Sequence, residues 1–133
     1  MLEDFIESNN LKARVLPYAA KGKLIKCKLF SYNDSFALVI FFSSDRLSEQ
    51  KISVALNTDR VKPVEGFSVE EITGYMAEFL PPISVYGVTV LIDKKLFGAE
   101  TVKCIVGEEK TLAIRPKEIQ EANEESIVAD VSV

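Results

Sequence analysis

The alternation of apolar and polar residues predicts a hairpin of two strands in the first third of the chain. Between residues 24 and 30 the odd positions are apolar and lysines stand at 26 and 28, a two-residue period typical of a strand with one buried face. Asn33-Asp34 then predicts a turn. Residues 36–42 are apolar at every position, which is typical of a strand covered on both sides. We therefore expect this second strand near the middle of a sheet.

The rest of the pattern predicts further short helices and strands. Ser68 with Glu71 three residues later matches a helix-capping sequence and predicts a helix from 68 to about 75. The other predicted helices cover 2–10, 47–56 and 116–122, and the other predicted strands cover 13–16, 88–92, 101–106, 111–114 and 127–133. Adjacent prolines at 81 and 82 predict a stiff loop over 81–87. The expected fold class is α/β, a single domain over 1–133 in which short helices flank a mixed β-sheet.

Composition and cysteine usage favour a globular protein of the cytoplasm. Hydrophobic residues make up 47% of the chain and charged residues 27%. No apolar run approaches the roughly 20 residues that cross a bilayer, and the acidic start Met1-Leu2-Glu3-Asp4 does not resemble a secretory leader. Cys27 and Cys104 each stand in an apolar stretch, which favours buried thiols in a reducing compartment. We expect a cytoplasmic location and no membrane partner.

The absence of histidine excludes several kinds of chemistry. Without it there is no histidine general base and no zinc site of the usual His/Cys type. Lys21-Gly22-Lys23 is too poor in glycine to cradle a phosphate chain, so nucleotide hydrolysis is not expected either. We therefore predict neither a metal nor another cofactor.

The net charge of −4 conceals a basic stretch near the N-terminus. Six basic residues and no acidic one occur between positions 12 and 28, whereas the last sixteen residues are rich in acids. Two interpretations are open. The basic stretch is either a contact surface for phosphates in an otherwise acidic protein or a solvated loop and edge strand that use lysine to block strand pairing.

Several short motifs occur in an order that resembles a known family. Thr73-Gly74-Tyr75 precedes Ile83-Ser84-x-x-Gly87, and the strand Val90-Leu91-Ile92-Asp93 follows. Upstream, Tyr18 closes one short strand and Lys26 opens the next. This order is similar to that of the YbaK/prolyl-tRNA deacylase family of aminoacyl-tRNA editing domains, and the resemblance covers most of the chain. The expected architecture is accordingly that of an editing domain, here shortened and divergent.

The resemblance implies a freestanding aminoacyl-tRNA deacylase that hydrolyses the ester of mischarged tRNA, with substrates of the proline-tRNA type. An ester of this kind is labile, so orientation and charge stabilisation can accelerate its cleavage without a histidine or serine nucleophile. Lys26 is the implied catalytic residue. The implied substrate-binding residues are Tyr18, Pro82, Ile83, Ser84, Gly87 and Gly107. The implied contacts to the acceptor end of aminoacyl-tRNA are Lys12, Arg14, Lys21, Lys23 and Lys28.

The chain also departs from the family pattern. Pro81-Pro82 stand where the family has two glycines, Val85 replaces the following proline, and a helical segment usually found between the tyrosine and lysine strands is reduced to residues 19–25. Proline has no amide hydrogen, so the first two positions cannot donate to an oxyanion. A catalytically inactive module that binds the tRNA acceptor end or a synthetase is therefore the alternative. For either function we expect a monomer or a homodimer.

One pocket is expected from these assignments. An active editing enzyme should have a concave pocket lined by Tyr18, Lys26 and the 81–87 loop. Asp93, which ends a strand beside a turn, is interpreted as a local hydrogen-bonding residue rather than an acid catalyst.

Overall fold

The computed structural model describes residues 1–133 and has the predicted hairpin at its centre. Strand β2, Ile25–Tyr32, pairs antiparallel with β3, Ser35–Phe42, through eight consecutive residue pairs. The two residues of the connecting turn have positive φ, 45° at Asn33 and 61° at Asp34, as a tight hairpin of the type I′ class requires. Residues 37–42 of β3 are all buried. The prediction of a central strand is confirmed.

The remaining elements are short, and their bounds are as follows. The helices are α1 (Leu2–Ser8), α2 (Glu49–Ala55), α3 (Phe67–Thr73) and α4 (Pro116–Ala122), with 3₁₀ helices at Ala77–Phe79 and Lys94–Gly98. The strands are β1 (Arg14–Leu16), β4 (Lys62–Pro63), β5 (Thr89–Asp93), β6 (Val102–Gly107), β7 (Lys110–Ile114) and β8 (Ser126–Ala129).

The strands form one mixed sheet in the order β1-β7-β6-β2-β3-β5-β8, and β4 adds to the outer end of β2. The hairpins β2–β3 and β6–β7 are antiparallel, whereas β5 runs parallel to β3 and β8 runs parallel to β5. A mixed α/β sheet with short flanking helices was the expected fold class, and the structure confirms it. No helix combines the length and apolar character that a membrane crossing requires.

Each face of the sheet has its own hydrophobic core. Leu38 and Ile40 of β3 point to the larger core, which α1, α3 and α4 cover through residues such as Leu2, Val69 and Ile119. Val39 points to the other face and packs in a smaller core that includes Ile52 of α2. Because successive side chains of a strand point to opposite faces, the continuous apolar run of β3 supplies side chains to both cores.

Several predicted element boundaries were wrong, including the end of α1, which stops at Ser8 rather than at 10. Ser68 does not cap α3: the cap position is Gly66, no side chain bonds there, and Ser68 lies exposed inside the helix. The second helix starts at Glu49 rather than at 47, because the Ser48 side chain accepts a hydrogen bond from the Lys51 amide and caps it. The last strand ends at Ala129 rather than 133, and beyond it Ser132 forms an isolated bridge with Leu47.

A buried polar network fastens the C-terminus to the sheet. The fully buried Asp93 carboxylate accepts a hydrogen bond of 2.6 Å from the Ser132 hydroxyl and one of 3.1 Å from the Lys95 amide. The Lys95 ammonium donates in turn to the Ser132 hydroxyl at 2.8 Å. The interpretation of Asp93 as a local hydrogen-bonding residue is confirmed.

Candidate functional site

A small cleft opens in the sheet where β2 and β6 separate. The two parallel strands share one residue pair, Ile25 with Cys104, and then diverge. The 3₁₀ helix Ala77–Phe79 packs beside β6 at this opening. The resulting cleft has a volume of about 170 Å³. Its lining residues are Leu24, Ile25, Lys26, Cys27, Ser43, Ala77, Glu78, Leu80, Cys104 and Ile105.

Strand geometry directs a backbone donor toward this cleft. The carbonyl of Leu29 accepts a hydrogen bond from the Val64 amide at 2.9 Å, so the backbone groups of the odd residues of β2 point away from β3. The Cys27 N–H therefore points the same way, but the ladder to β6 has already ended at Ile25. No further residue pair joins the two strands beyond that point, so this N–H points toward the opening.

Lys26 and Glu78 supply the charges of the cleft. Lys26 is exposed on β2, and Glu78 is exposed on the 3₁₀ helix. The two side chains do not form an ion pair with each other. The one ion pair in the structure joins Lys51 and Asp130. A cation and an anion thus line the same small opening, and neither is neutralised by a salt bridge.

The two cysteines form an apolar wall of the cleft rather than a nucleophile. Both thiols are buried. Burial raises the pKa of Cys27 well above its usual range, and the neighbouring Cys104 raises that pKa further. The Cys104 thiol donates to the Leu80 carbonyl at 3.7 Å. Cys27 is therefore a thiol at neutral pH, and buried free cysteines behave as small hydrophobic side chains.

The end of the 81–87 loop lines a different and larger cleft. Ser84 and Gly87 border this opening of about 550 Å³ together with Asn123, Glu124 and Glu125. It is acidic at its rim, since two of its lining residues are glutamates and none is lysine or arginine. The structure differs here from the prediction of one pocket, because Lys26 and the Ser84–Gly87 segment line separate openings.

The separation follows from the two faces of β2. Ile83 is fully buried in the larger core, the one that receives the odd residues of β2, such as Cys27. Lys26 is an even residue and shares its face with Phe30, which belongs to the smaller core. The loop therefore packs on the face of β2 opposite the Lys26 side chain.

Internal hydrogen bonds hold the loop in place. Ser84 is buried with φ of +69°, a left-handed conformation that is uncommon for residues other than glycine. The Tyr75 hydroxyl donates to the Ser84 hydroxyl at 2.8 Å, and burial raises the pKa of Tyr75 above its ordinary value. The Pro82 carbonyl accepts from the Asn123 side chain at 3.0 Å. Gly87 ends the loop with φ of +73°, which glycine adopts easily.

Tyr18 lies on an exposed loop that a buried threonine fastens to the sheet. The Thr111 hydroxyl donates to the Tyr18 carbonyl at 2.7 Å and accepts from the Ala20 amide at 2.9 Å. Thr111 stands opposite Ile105, a lining residue of the Lys26 cleft. Tyr18 is half exposed and is not among the lining residues of that cleft. Gly107 pairs with Lys110 at the β6–β7 turn and lines neither cleft.

The basic residues divide into two groups. Lys21 and Lys23 are exposed on the loop that leads to Leu24, a residue of the Lys26 cleft, and the Lys23 ammonium lies 4.5 Å from the centre of the Phe42 ring. Lys28 follows on β2, with its ammonium 5.8 Å from the centre of the Phe30 ring. Lys12 and Arg14 are exposed beside and on β1, which β7 and β6 separate from β2. None of these residues forms an ion pair.

The fold and the cleft together define a class of protein, a small α/β domain whose curled mixed sheet opens between two parallel strands. Residues 13–122 match the family model of the aminoacyl-tRNA editing domain, and the chain therefore belongs to that family. No curated protein matches the chain. No group of three or more histidine, cysteine, aspartate or glutamate side chains is placed to hold a metal ion.

Solved structures share the fold at low sequence identity. The hypothetical protein APE2540 superposes with a TM-score of 0.88 at 21% identity, and the match covers 99% of both chains. A candidate trans-editing enzyme for prolyl tRNA synthetase superposes with a TM-score of 0.86 at 17% identity, covering 99% of this chain and 94% of the other. A candidate signal transduction protein from Marinobacter aquaeolei VT8 has a TM-score of 0.79 at 18% identity, with 99% of this chain matching 30% of that one.

Proposed function

We propose that the chain is a freestanding aminoacyl-tRNA deacylase that hydrolyses the ester of mischarged tRNA, with substrates of the proline-tRNA type. Membership of the editing-domain family and the likeness to a candidate trans-editing enzyme support a deacylase-type function. The observation that carries the proposal is the opening between β2 and β6, where Lys26 lines a cleft toward which the Cys27 amide points.

The proposed mechanism relies on positioning and charge stabilisation. Attack of water on the ester carbonyl develops negative charge on the carbonyl oxygen, which the Lys26 ammonium and the Cys27 N–H would stabilise. The bond between the carbonyl carbon and the ribose oxygen then breaks, and the proton that the attacking water loses passes to the ribose oxygen through another water or through the neighbouring ribose hydroxyl. Cys27 takes no part as a nucleophile, because burial favours its protonated form.

The proposed tRNA contacts are the basic residues near this cleft and those at β1. Lys21, Lys23 and Lys28 would approach phosphates at the acceptor end, and Lys12 with Arg14 would approach phosphates farther away. Tyr18 would contact the substrate from its exposed loop, and Gly107 from the nearby turn. The 81–87 loop follows Leu80, which lines the cleft, so Pro82, Ile83, Ser84 and Gly87 are proposed to support that wall from the opposite face of β2 rather than to touch the ester. We further propose that residues 1–133 act as one domain in the cytoplasm.

The inactive binding module stays a second candidate because of the separated clefts. Ser84 and Gly87 border the acidic opening, whereas Lys26 borders the other. A domain in which the 81–87 loop and Lys26 do not share a pocket would bind the acceptor end or a synthetase without cleaving the ester. The two candidates share the proposed tRNA-binding surface and differ in turnover.

A deacylation assay separates the candidates. Purified protein is mixed with Ala-, Cys- and Ser-charged proline tRNA, and ester loss is followed for the wild type, Lys26→Ala and the control Lys62→Ala. Lys62 is an exposed strand lysine that lies outside both clefts. We expect hydrolysis by the wild type, a decrease of about 10²-fold in Lys26→Ala, and no change in the control. Ester loss equal to that in buffer for every sample would exclude the deacylase, and tRNA binding without turnover would support the module.

A further inference from the structure

The charge arrangement of the Lys26 cleft identifies a residue that no motif pointed to. Lys26 and Glu78 are the only charged residues among those that line it. Glu78 belongs to the wall of the cleft, where Ala77 before it and Leu80 after it also line the opening. The Leu80 carbonyl is in turn held by the Cys104 thiol at 3.7 Å.

An aminoacyl ester has a charge distribution that matches this arrangement. Its carbonyl oxygen becomes negative during hydrolysis, and its α-amino group, one carbon away from the carbonyl, is cationic over part of the neutral pH range because such amines have a pKa of about 8. A substrate whose carbonyl approaches Lys26 therefore presents a positive group a short distance away. The absence of an ion pair between Lys26 and Glu78 leaves both charges available to it.

We propose that Glu78 binds the α-ammonium group of the aminoacyl end and so selects esters with a free amine over N-acylated ones. The proposal rests on the proposed deacylase function and assigns to that site a specificity-determining residue. A carboxylate accepts a charge-assisted hydrogen bond from an ammonium group, and it has no such bond with a neutral amide at the same position.

The test compares two substrates that differ only at the α-nitrogen. Hydrolysis of aminoacyl-tRNA and of the same tRNA after N-acetylation is measured for the wild type, Glu78→Gln and the control Glu71→Gln. Glu71 is an exposed glutamate of α3 that lines neither cleft. We expect the wild type and the control to prefer the free amine about tenfold. Glu78→Gln should lose about tenfold in kcat/KM on the free amine and none on the N-acetylated substrate.

The outcomes separate this inference from the proposed function. If the wild type hydrolyses both substrates equally, or if Glu78→Gln slows both equally, the assignment of Glu78 is overturned while the deacylase function stands. If the wild type hydrolyses neither, the deacylase function is overturned. A binding arm then decides the assignment: 3′-aminoacylamino-adenosine, in which a stable amide replaces the ester, should bind about tenfold more weakly to Glu78→Gln, and its N-acetyl form should bind equally to both proteins. Equal binding of the free-amine form would contradict the proposal.

Discussion

Replacing Thr111 by valine tests how the Tyr18 loop is fastened. Valine has nearly the same shape as threonine but no hydroxyl, and the Thr111 hydroxyl is fully buried between two backbone groups. It donates to the Tyr18 carbonyl at 2.7 Å and accepts from the Ala20 amide at 2.9 Å. The change therefore removes two hydrogen bonds without leaving a cavity. The Tyr18 carbonyl and the Ala20 amide must then form hydrogen bonds with water instead.

The expected loss of stability follows from those two bonds. A neutral intramolecular hydrogen bond contributes about 1 kcal/mol, so the variant should lose about 2 kcal/mol. For a domain of this size 1 kcal/mol corresponds to about 3–4 °C in Tm, and the expected decrease is about 7 °C. The Ala20 amide should also exchange its hydrogen faster than in the wild type, because the loop no longer has its anchor.

Thermal unfolding and amide exchange measure both effects. Thr101→Val is the matched control, since Thr101 is exposed and makes no side-chain hydrogen bond in the structure. Its Tm should stay within about 1 °C of the wild type. A Thr111→Val protein with an unchanged Tm and a protected Ala20 amide would refute the description of the loop as held by this hydroxyl.

Three further predictions concern other contacts. Tyr75→Phe should lower stability by about 1 kcal/mol in urea unfolding, because the bond to the Ser84 hydroxyl is lost; an unchanged midpoint would contradict that role. Ser48→Ala should cost about 1 kcal/mol by removing the cap of α2, whereas Ser68→Ala should be nearly neutral, and equal effects would contradict the assignment of the caps. The Lys51 ammonium holds the pKa of Asp130 below its usual range. The folded state then releases this proton more readily than the unfolded state, so the pair stabilises the fold above the ordinary pKa of an aspartate and the benefit is lost as the pH falls through the folded-state pKa. The difference in unfolding free energy between wild type and Asp130→Asn should accordingly shrink between pH 7 and pH 3, and a constant difference would contradict it.

The central hairpin could be predicted because its signals are local. The two-residue alternation around Lys26, the turn at Asn33-Asp34 and the apolar run 36–42 each depend on neighbours in the chain, and the structure retains all three. The capping sequence at Ser68 is local as well, but the cap position is Gly66, so the serine falls two residues too late to cap the helix. Motif order led to the family, which the match over residues 13–122 confirms.

The shape of the site could not be predicted, because it depends on contacts between distant segments. Nothing near Ile25 in the sequence indicates that β6 leaves β2 after a single pair, and this divergence creates the cleft. Glu78 carries no motif and becomes notable only once the folded chain brings it to the same cleft as Lys26. The Thr73-Gly74-Tyr75 motif draws attention to Tyr75 in the sequence. The hydrogen bond from the Tyr75 hydroxyl to the Ser84 hydroxyl, however, forms only in the folded loop.

The central claim is that the ester binds in the opening between β2 and β6, and amide chemical-shift mapping tests it most directly. The labelled protein is titrated with 3′-alanylamino-adenosine, which resembles the charged end of tRNA and is not an ester. The account predicts that the largest shifts occur at the amides of Cys27, Glu78 and Ile105, which surround the cleft. Largest shifts at Gly87 and Asn123, with the Cys27 amide unmoved, would place the ligand in the acidic opening and contradict the account.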